Sequence, residues 1–334
     1  MVSLSLGEGV LLSADSIALP FREEIQNSLR LLQDVPTLMG ILSTNSKPSR
    51  FYAEFTKKTC EELGFKFILK QVGSALDPSL PDGENVEEAI IEANADPSID
   101  GIMDQYLQQI VSPLKDVEGL HAKFHYNLYH NIRYIQPASL MLANVEVTES
   151  FTNDTPEEPP VGSVKSILPC TPLAIVKCLE HIGVYNKLLR YGDRAYGKII
   201  TVINRSEVVG RPLAALLAND GARVFSVDID SIQEYTKRPA GPQSTQRYHL
   251  RHVVRQSTFT LEECLMQSDV VVSAVPSSNY KVETTKLKDG CICINVSSEK
   301  NFKKDIREKN VIDDLKVSLY VPSIDYDSKV ITDI

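Results

Sequence analysis

The chain has no apolar run approaching the roughly 20 consecutive apolar residues that a membrane-spanning helix requires, so no membrane role is expected. Positive charge is short as well: 35 Lys and Arg stand against 44 Asp and Glu, a net charge of −9. Nucleic-acid affinity rests largely on neutralising phosphates, so no nucleic-acid partner is expected either. A cysteine pairing pattern is also missing. Cys60, Cys170, Cys178, Cys264, Cys291 and Cys293 form no C-x-x-C pair and no framework of a small secreted domain, and they read as reduced thiols. Cys291 and Cys293 alternate in CICIN as a buried strand would place them, while His121, His125 and His130 share no helical register, so no metal is expected. No Lys or Arg precedes Arg22, which suits neither a secretory signal nor an Arg-rich transit peptide, and a cytoplasmic location is the expectation. The glycine-lined phosphate turn G-x-G-x-x-G is absent too.

In its place stands YGKIITVINRSEVVGRPLAALLANDGARVFSVDID, residues 196–230, which reads as strand, tight turn, helix and second strand. The β-branched run at 199–203 suits a buried parallel strand, and residues 204–210 break the pattern. Pro212 suits a first helical position, Leu213, Leu216 and Leu217 form an apolar stripe, and Asn219, Asp220 and Gly221 supply the stop. The next strand, 223–227, runs into Asp228. A carboxylate there accepts the ribose hydroxyls of an adenosine and repels a 2′-phosphate, which favours NAD over NADP. With Asn204, Arg205 and Ser206 where glycines usually stand, phosphate contact must come from side chains and Gly210.

At 334 residues and 43% hydrophobic content the chain can fill two cores. Helix-like segments at 18–32, 51–63 and 86–95 alternate with strands at 37–42, 65–72 and 100–103, which predicts an α/β domain with a mostly parallel sheet. Residues 137–163 are acidic, Pro-bearing and aperiodic, and read as an insertion. In SILPCTPLAIVKCLEHIG, Thr171 is a candidate cap, Pro172 a candidate start and Gly183 a candidate stop of a helix. A second polar insertion is read at 237–256, and strands at 268–276 and 291–297 bring the second domain to at least four. The expected division is 1–168, with 318–334 returning to it, and 169–317.

YGKIITVINRSEVVGRPLAALLANDGA, SILPCTPLAIVK, SRFYAEFTKKTCEELGF and KDVEGL together resemble the methylenetetrahydrofolate dehydrogenase/cyclohydrolase family, and in particular its fungal, NAD-dependent, monofunctional branch. The resemblance runs from about residue 11 to 322, apart from the two insertions. It implies a folate cleft between an N-terminal catalytic domain and a Rossmann-like NAD-binding domain, a homodimer, and hydride transfer from 5,10-methylenetetrahydrofolate to NAD in the one-carbon supply for purine synthesis.

Carried over residue by residue, the family's Tyr-x-x-x-Lys pair falls on Tyr52 and Thr56. Position 56 lies ~40° from Tyr52 around a helix, whereas Lys57 and Lys58 lie ~140° and ~120° away, so neither lysine replaces the missing one. A threonine hydroxyl cannot move protons at neutral pH, and dehydrogenase activity without cyclohydrolase activity is expected. The resemblance gives Glu118 of KDVEGL, next to Asp116, the pterin contact, since a carboxylate can accept two parallel N–H bonds. Their other reading is as surface acids on a turn at Gly119. Pro169, Cys170, Thr171 and Pro172 would line the cleft, with Cys170 also a candidate nucleophile although hydride transfer needs none. For NAD the resemblance nominates Asn204, Arg205, Ser206, Gly210, Arg211, Pro212, Asp228, Ile229, Ala274, Val275 and Pro276.

Two stretches depart from the pattern. Relatives carry further apolar residues and a proline-containing loop where this chain passes from Met103 directly to DQYLQQI, so part of the substrate cleft is expected to be missing. After SLYVPSI the chain runs into DYDSKVITDI instead of an apolar helix, which leaves apolar surface on the first domain uncovered. Both motivate an alternative: a catalytically impaired NAD-binding protein of the same fold. A shikimate-type dehydrogenase is disfavoured, because no Lys and Asp acid/base pair is evident in the first-domain motifs.

Overall fold

The computed structural model describes residues 10–11, 14–104, 109–141, 156–238, 249–297, 299–307 and 317–318. The first part contains β1 (Val10–Leu11), α1 (Ala14–Leu29), β2 (Thr37–Leu42), α2 (Lys47–Leu63), β3 (Lys66–Gln71), α3 (Gly73–Leu76), α4 (Val86–Ala95) and β4 (Gly101–Met103). Three of these strands form a parallel sheet in the order β3-β2-β4. Ile41, Val86, Ile90, Ile102 and Val111 pack together in one core of this part. Helix α2 starts a turn earlier than its periodicity predicts, because the Ser46 side chain accepts the Ser49 amide and a proline occupies the first turn. Gly64, at φ 108°, ends it.

Residues 105–108, which follow closely on β4, lie outside the described ones; residues 109–121 form turns and bends, and α5 (Ala122–His130) is the next described helix. A short antiparallel pair, β5 (Tyr134–Ile135) with β6 (Val164–Lys165), brackets the predicted insertion, of which residues 142–155 lie outside the described ones. Its returning end is tied down: Tyr134 donates its hydroxyl to the carbonyls of Pro156 and Glu157, and Arg194 pairs with Glu157 at 2.7 Å.

Next come α6 (Cys170–His181), β7 (Ile199–Ile203), α7 (Gly210–Asn219), β8 (Arg223–Val227), β9 (Ile232–Thr236), β10 (Val253–Gln256), α8 (Leu261–Gln267), β11 (Val270–Ser273) and β12 (Ile292–Asn295). Their six-stranded sheet has the order β10-β9-β8-β7-β11-β12. The strands from β8 to β12 in that order run parallel, and β9 and β10 add an antiparallel ribbon at one edge. Successive residues alternate between faces, as the pleat requires. Ile200, Val202, Val270, Val272 and Ile294 enter one core, while Ile203, Val271, Cys291 and Cys293 enter another with Leu265 of α8. Cys293 of β12 and Cys291 just before it are thus ordinary core residues.

Three expectations need correction. Helix α6 begins at Cys170, with Pro169 rather than Thr171 at the cap and no side-chain cap bond. Helix α7 begins at Gly210, two residues before Pro212. The predicted insertion at 237–256 ends in β10, and Lys237 is buried against Asp193 at 2.8 Å; residues 239–248 lie outside the described ones.

The proposed boundary near residue 169 does not separate the cores. Ile17 and Leu128, from α1 and α5, share a core with Leu179, Leu213 and Leu217 of α6 and α7. At the far end of α7, Asp220 accepts Arg133 at 2.7 Å and the Tyr185 hydroxyl at 2.9 Å, and Asn219 donates to the Leu128 carbonyl at 2.8 Å. A short last strand, β13 (Val317–Ser318), pairs in parallel with β1. Of the segment expected to return to the first domain, Ser318 alone is described, opposite Leu11, and 319–334 lie outside.

Removing one partner of a buried ion pair leaves the other charge uncompensated. Asp220→Ala is expected to destabilise the chain by about 3–5 kcal/mol, read from urea unfolding, against less than about 1 kcal/mol for an exposed pair such as Lys58–Glu62.

Candidate functional site

A cavity of about 240 Å³ opens at the carboxyl ends of β2 and β4, where open α/β sheets hold their ligands. One wall comes from α2, whose Ser49, Tyr52, Ala53 and Thr56 stand at helical spacing and therefore on one face. Phe67 and Leu69 supply an apolar wall from β3, and Met103, Asp104 and Glu118 close the opposite side. Lys57 is not in the lining, and Lys58 is exposed and paired with Glu62. Thr56 is 2% exposed, and its hydroxyl has no hydrogen-bond partner in the structure.

Glu118 owes its position to Asp116. The Asp116 carboxylate accepts the amides of Glu118 and Gly119 through one oxygen, both at 2.9 Å, and that of His121 through the other at 2.8 Å. Both acids are buried, which corrects the reading of them as surface acids. Asp116 does not line the cavity; it shapes the turn that presents Glu118 there. Gly119 is required in that turn. Its φ is +71°, and a Cβ would meet the Leu168 carbonyl oxygen at 2.5 Å. The Glu118 carbonyl in turn accepts the Cys170 amide at 3.1 Å, which joins this turn to the start of α6.

Burial pushes the Glu118 carboxyl up to about 8, helped by the charges of Asp116 and Asp104 and opposed by the Asp104 amide, which donates to Oε2 at 3.0 Å. Glu118 is therefore protonated at neutral pH, able to donate one hydrogen bond as well as accept. Cys170 corrects the nucleophile reading. Burial, then the Glu118 charge, pushes its thiol up to about 12, and a protonated thiol is a poor nucleophile. Pro169 and Pro172 are buried and Thr171 half-buried, and none of the three lines this cavity.

A second group of residues gathers at the carboxyl ends of β7, β8 and β11. Asn204 takes a left-handed φ of +85° and donates its side chain to the Ala274 carbonyl at 2.6 Å, stitching two strand ends together. Arg205 does not reach outward as the sequence suggests. Its guanidinium donates to Ser226 and Ser231, at 2.6 to 3.0 Å, and braces the end of β8 instead. Ser206 accepts the amides of Val209 and Gly210, at 3.3 and 3.2 Å, where the chain enters α7. Gly210 admits no side chain, because a Cβ would lie 1.7 Å from the Asn204 carbonyl oxygen. Arg211 is exposed, paired with Glu207 at 2.7 Å and lying over the Tyr129 ring; Pro212 is buried behind it.

Asp228 and Ile229 are exposed at the tip between β8 and β9, with the Ile229 amide on one Asp228 oxygen at 2.9 Å. Ala274 and Val275 are half-buried and Pro276 exposed. Two buried asparagines that the sequence did not single out hold this loop. Asn301 accepts the Ser273 hydroxyl and the Val275 amide and donates to the Val275 carbonyl, and Asn295 accepts the Asn301 amide. The signal for Asn295 was a polar residue ending a buried strand in CICINVS; Asn301 lies beyond that motif. Asp104 was also missed, since it reads only as the first residue after a short strand.

Residues 12–118 match the family described as tetrahydrofolate dehydrogenase/cyclohydrolase, catalytic domain, and residues 169–240 match its NAD(P)-binding domain. A methylenetetrahydrofolate dehydrogenase (NAD+) of Schizosaccharomyces pombe is 45% identical over 321 residues, spanning 93% of this chain and 87% of the relative. The protein of that name from Saccharomyces cerevisiae is 42% identical, spanning 92% of this chain and 89% of the relative. The solved structure of the NAD-dependent 5,10-methylenetetrahydrofolate dehydrogenase from Saccharomyces cerevisiae superposes with a TM-score of 0.76 at 40% identity, covering 96% of this chain and 93% of the other.

A carboxyl whose folded pKa is raised holds its proton after the unfolded chain has lost it, so stability falls as pH rises. For Glu118 the loss begins in the ordinary carboxylate range and levels off above about 8. Glu118→Gln keeps an acceptor for the Asp104 amide without the titration. Its melting temperature relative to the parent should climb steadily between pH 5 and 8, following up to about 1.4 kcal/mol per pH unit, and then stay level. A constant difference across that range would contradict the buried-carboxyl assignment.

Proposed function

The chain belongs to the tetrahydrofolate dehydrogenase/cyclohydrolase family, and from that premise we propose that it oxidises 5,10-methylenetetrahydrofolate to 5,10-methenyltetrahydrofolate with NAD, and does not hydrolyse the product. The observation that carries this reading is that Tyr52 and Thr56 of α2 and Glu118, far from them in the chain, line one cavity. We assign the first part of the chain to the folate and the part from α6 onward to the cofactor. A cytoplasmic homodimer supplying one-carbon units for purine synthesis belongs to the same proposal, as does the absence of a nucleic-acid or membrane partner. Among the described residues, no helix is long and apolar enough to cross a membrane.

The residues around the ends of β7, β8 and β11 suit a dinucleotide. Helix α7 directs its N-terminus to that edge, the Asn204–Gly210 turn closes tightly because Gly210 has no side chain, and Asp228 stands exposed where an adenosine ribose would lie. When bound, NAD supplies the hydride acceptor. Ser206 and Arg211 would face the phosphates, and Ala274 to Pro276, clamped by Asn301, would border the nicotinamide half. Arg205 acts at one remove, by bracing the strand end that carries Asp228.

In the substrate, the bond from the methylene carbon to one hydrogen breaks, and the hydrogen leaves with both electrons. The lone pair of a neighbouring folate nitrogen fills the vacancy, so the folate becomes a cation as the cofactor loses its positive charge. The enzyme needs no proton relay for this step, and its task is alignment. Glu118, protonated at neutral pH, pairs with the amino-pyrimidine edge as donor and acceptor together. Hydrolysis of the product requires a base for the attacking water. Thr56 has no hydrogen-bonded neighbour to activate it, and Glu118 already holds its proton. The impaired alternative loses its main support because Met103 and Asp104 themselves wall the cavity at the point of the shortened strand.

The purified protein should reduce NAD in the presence of 5,10-methylenetetrahydrofolate, followed by cofactor absorbance, and reduce NADP far more slowly. No turnover despite measurable NAD binding would support the impaired alternative instead. Asp228→Ser should narrow the preference for NAD over NADP by about tenfold, the equivalent of one charge-assisted contact. Added methenyltetrahydrofolate should hydrolyse no faster than in buffer; a clear acceleration would refute the role given to Thr56.

A further inference from the structure

We propose that Ser226 and Ser231 are positioning residues that set the cofactor preference, by holding the Arg205 guanidinium inward and so keeping a cation beside Asp228 from reaching a 2′-phosphate. This role rests on the dinucleotide reading of the edge formed by β7 and β8, and adds to it two serines that only the structure brings there.

The chain leaves β7 and β8 side by side. Ile203 pairs with Val227, and the Asn204 amide donates to the Val227 carbonyl at 2.9 Å, so Arg205 and Asp228 stand in adjacent loops. The loop after β8 consists of Asp228, Ile229, Asp230 and Ser231, closed by the Asp228 amide on the Ser231 carbonyl at 2.9 Å. It holds two acids and no cation of its own. An arginine near such a loop is what ordinarily accommodates the 2′-phosphate of NADP. Here Arg205 is half-buried and its donors are engaged. Nε donates to the Ser226 hydroxyl and Nη1 to the Ser231 hydroxyl, both at 3.0 Å, while Nη2 donates to the carbonyls of the same two residues at 2.6 and 3.0 Å.

The hydroxyls decide whether the guanidinium can turn. They occupy Nε and Nη1, and without them the group is held through Nη2 alone. Charge-assisted bonds to a phosphate are about twice as strong as bonds between neutral partners, so a guanidinium freed along two of its nitrogens would turn to one. Selectivity against NADP thus has two parts. Asp228 repels the phosphate, and the serines withhold the cation that would offset the repulsion.

The test reads the binding of NADH and NADPH to the full chain, without folate, from the fluorescence of the reduced nicotinamide. The series starts from Asp228→Ser, in which a freed Arg205 has no Asp228 carboxylate to pair with. Adding Ser226→Ala and Ser231→Ala should raise the affinity for NADPH relative to NADH by about a further tenfold, the equivalent of one charge-assisted contact. Adding Arg205→Met as well should remove that gain. Ser226→Thr with Ser231→Thr, which keep both hydroxyls, should leave the ratio of the Asp228→Ser protein in place. Each ratio is taken on one protein, so a reduced folded fraction cancels. Should the alanine pair not fold, Ser231→Ala alone frees Nη1 and gives the comparison in the same direction. An unchanged ratio in the alanine variants, a gain that survives Arg205→Met, or an equal gain with threonine overturns the role of the serines. A parent that binds neither reduced cofactor overturns the dinucleotide reading itself. A parent that binds NADH while the alanine variants keep the ratio of Asp228→Ser leaves that reading standing and removes only the serines.

Discussion

Three backbone amides, from Glu118, Gly119 and His121, converge on the carboxylate of Asp116, and the turn they define organises the cavity and its link to α6. It sends the Glu118 side chain into the cavity and its carbonyl to the amide of Cys170. It also needs a glycine at 119, where the chain passes against Leu168 too closely for a side chain. Carboxylates accepting several amides are strong local organisers, because each charge-assisted bond is about twice as strong as a neutral one. The cost is a concentration of acid in a small volume. That cost falls on Glu118, which responds by keeping its proton.

This electrostatic arrangement sets what the cavity can do. With no cation in the described lining and a threonine where the family pattern has lysine, it offers a hydrogen-bonding acid, hydroxyls and an apolar floor. Such a site aligns a ligand rich in N–H groups but has little means of moving protons to and from water. Hydride transfer and hydrolysis therefore separate on physical grounds, the first needing geometry and the second a base of suitable pKa.

The cofactor edge is organised differently. The Gly210 amide is satisfied by the Ser206 hydroxyl, the Asn204 side chain by the Ala274 carbonyl, and Arg205 is consumed by Ser226 and Ser231. A turn with few glycines stays tight because its polar groups are internally paired, and the one close approach it contains is relieved by Gly210. The buried amides of Asn295 and Asn301 play the same part for the loop after β11. Rigidity here comes from hydrogen bonds closed within the protein, which leaves Asp228 and Arg211 as exposed charged groups at the edge.

Local pattern alone determined the parallel strands, the alternation that buries Cys291 and Cys293, the strand–turn–helix unit at 196–230 and the shared helical face of Tyr52 and Thr56. These depend on periods of two and 3.6 residues, which a sequence displays directly. Helix starts were less legible: at 47 a cap bond to Ser46 and a proline in the first turn carry the helix beyond its apolar stripe, and at 170 and 210 the helices begin with no side-chain cap to mark them. Only the tertiary structure decided that Arg205 turns inward, that Asp116 builds while Glu118 faces the cavity, that the Cys170 thiol is too buried to ionise, and that Asp104 belongs to the site. Each of those outcomes turns on which neighbours remove water from a charged or polar atom and which replace that water with a hydrogen bond. Such neighbours come from distant segments, so a linear pattern names the residue while its protonation and direction wait on the fold.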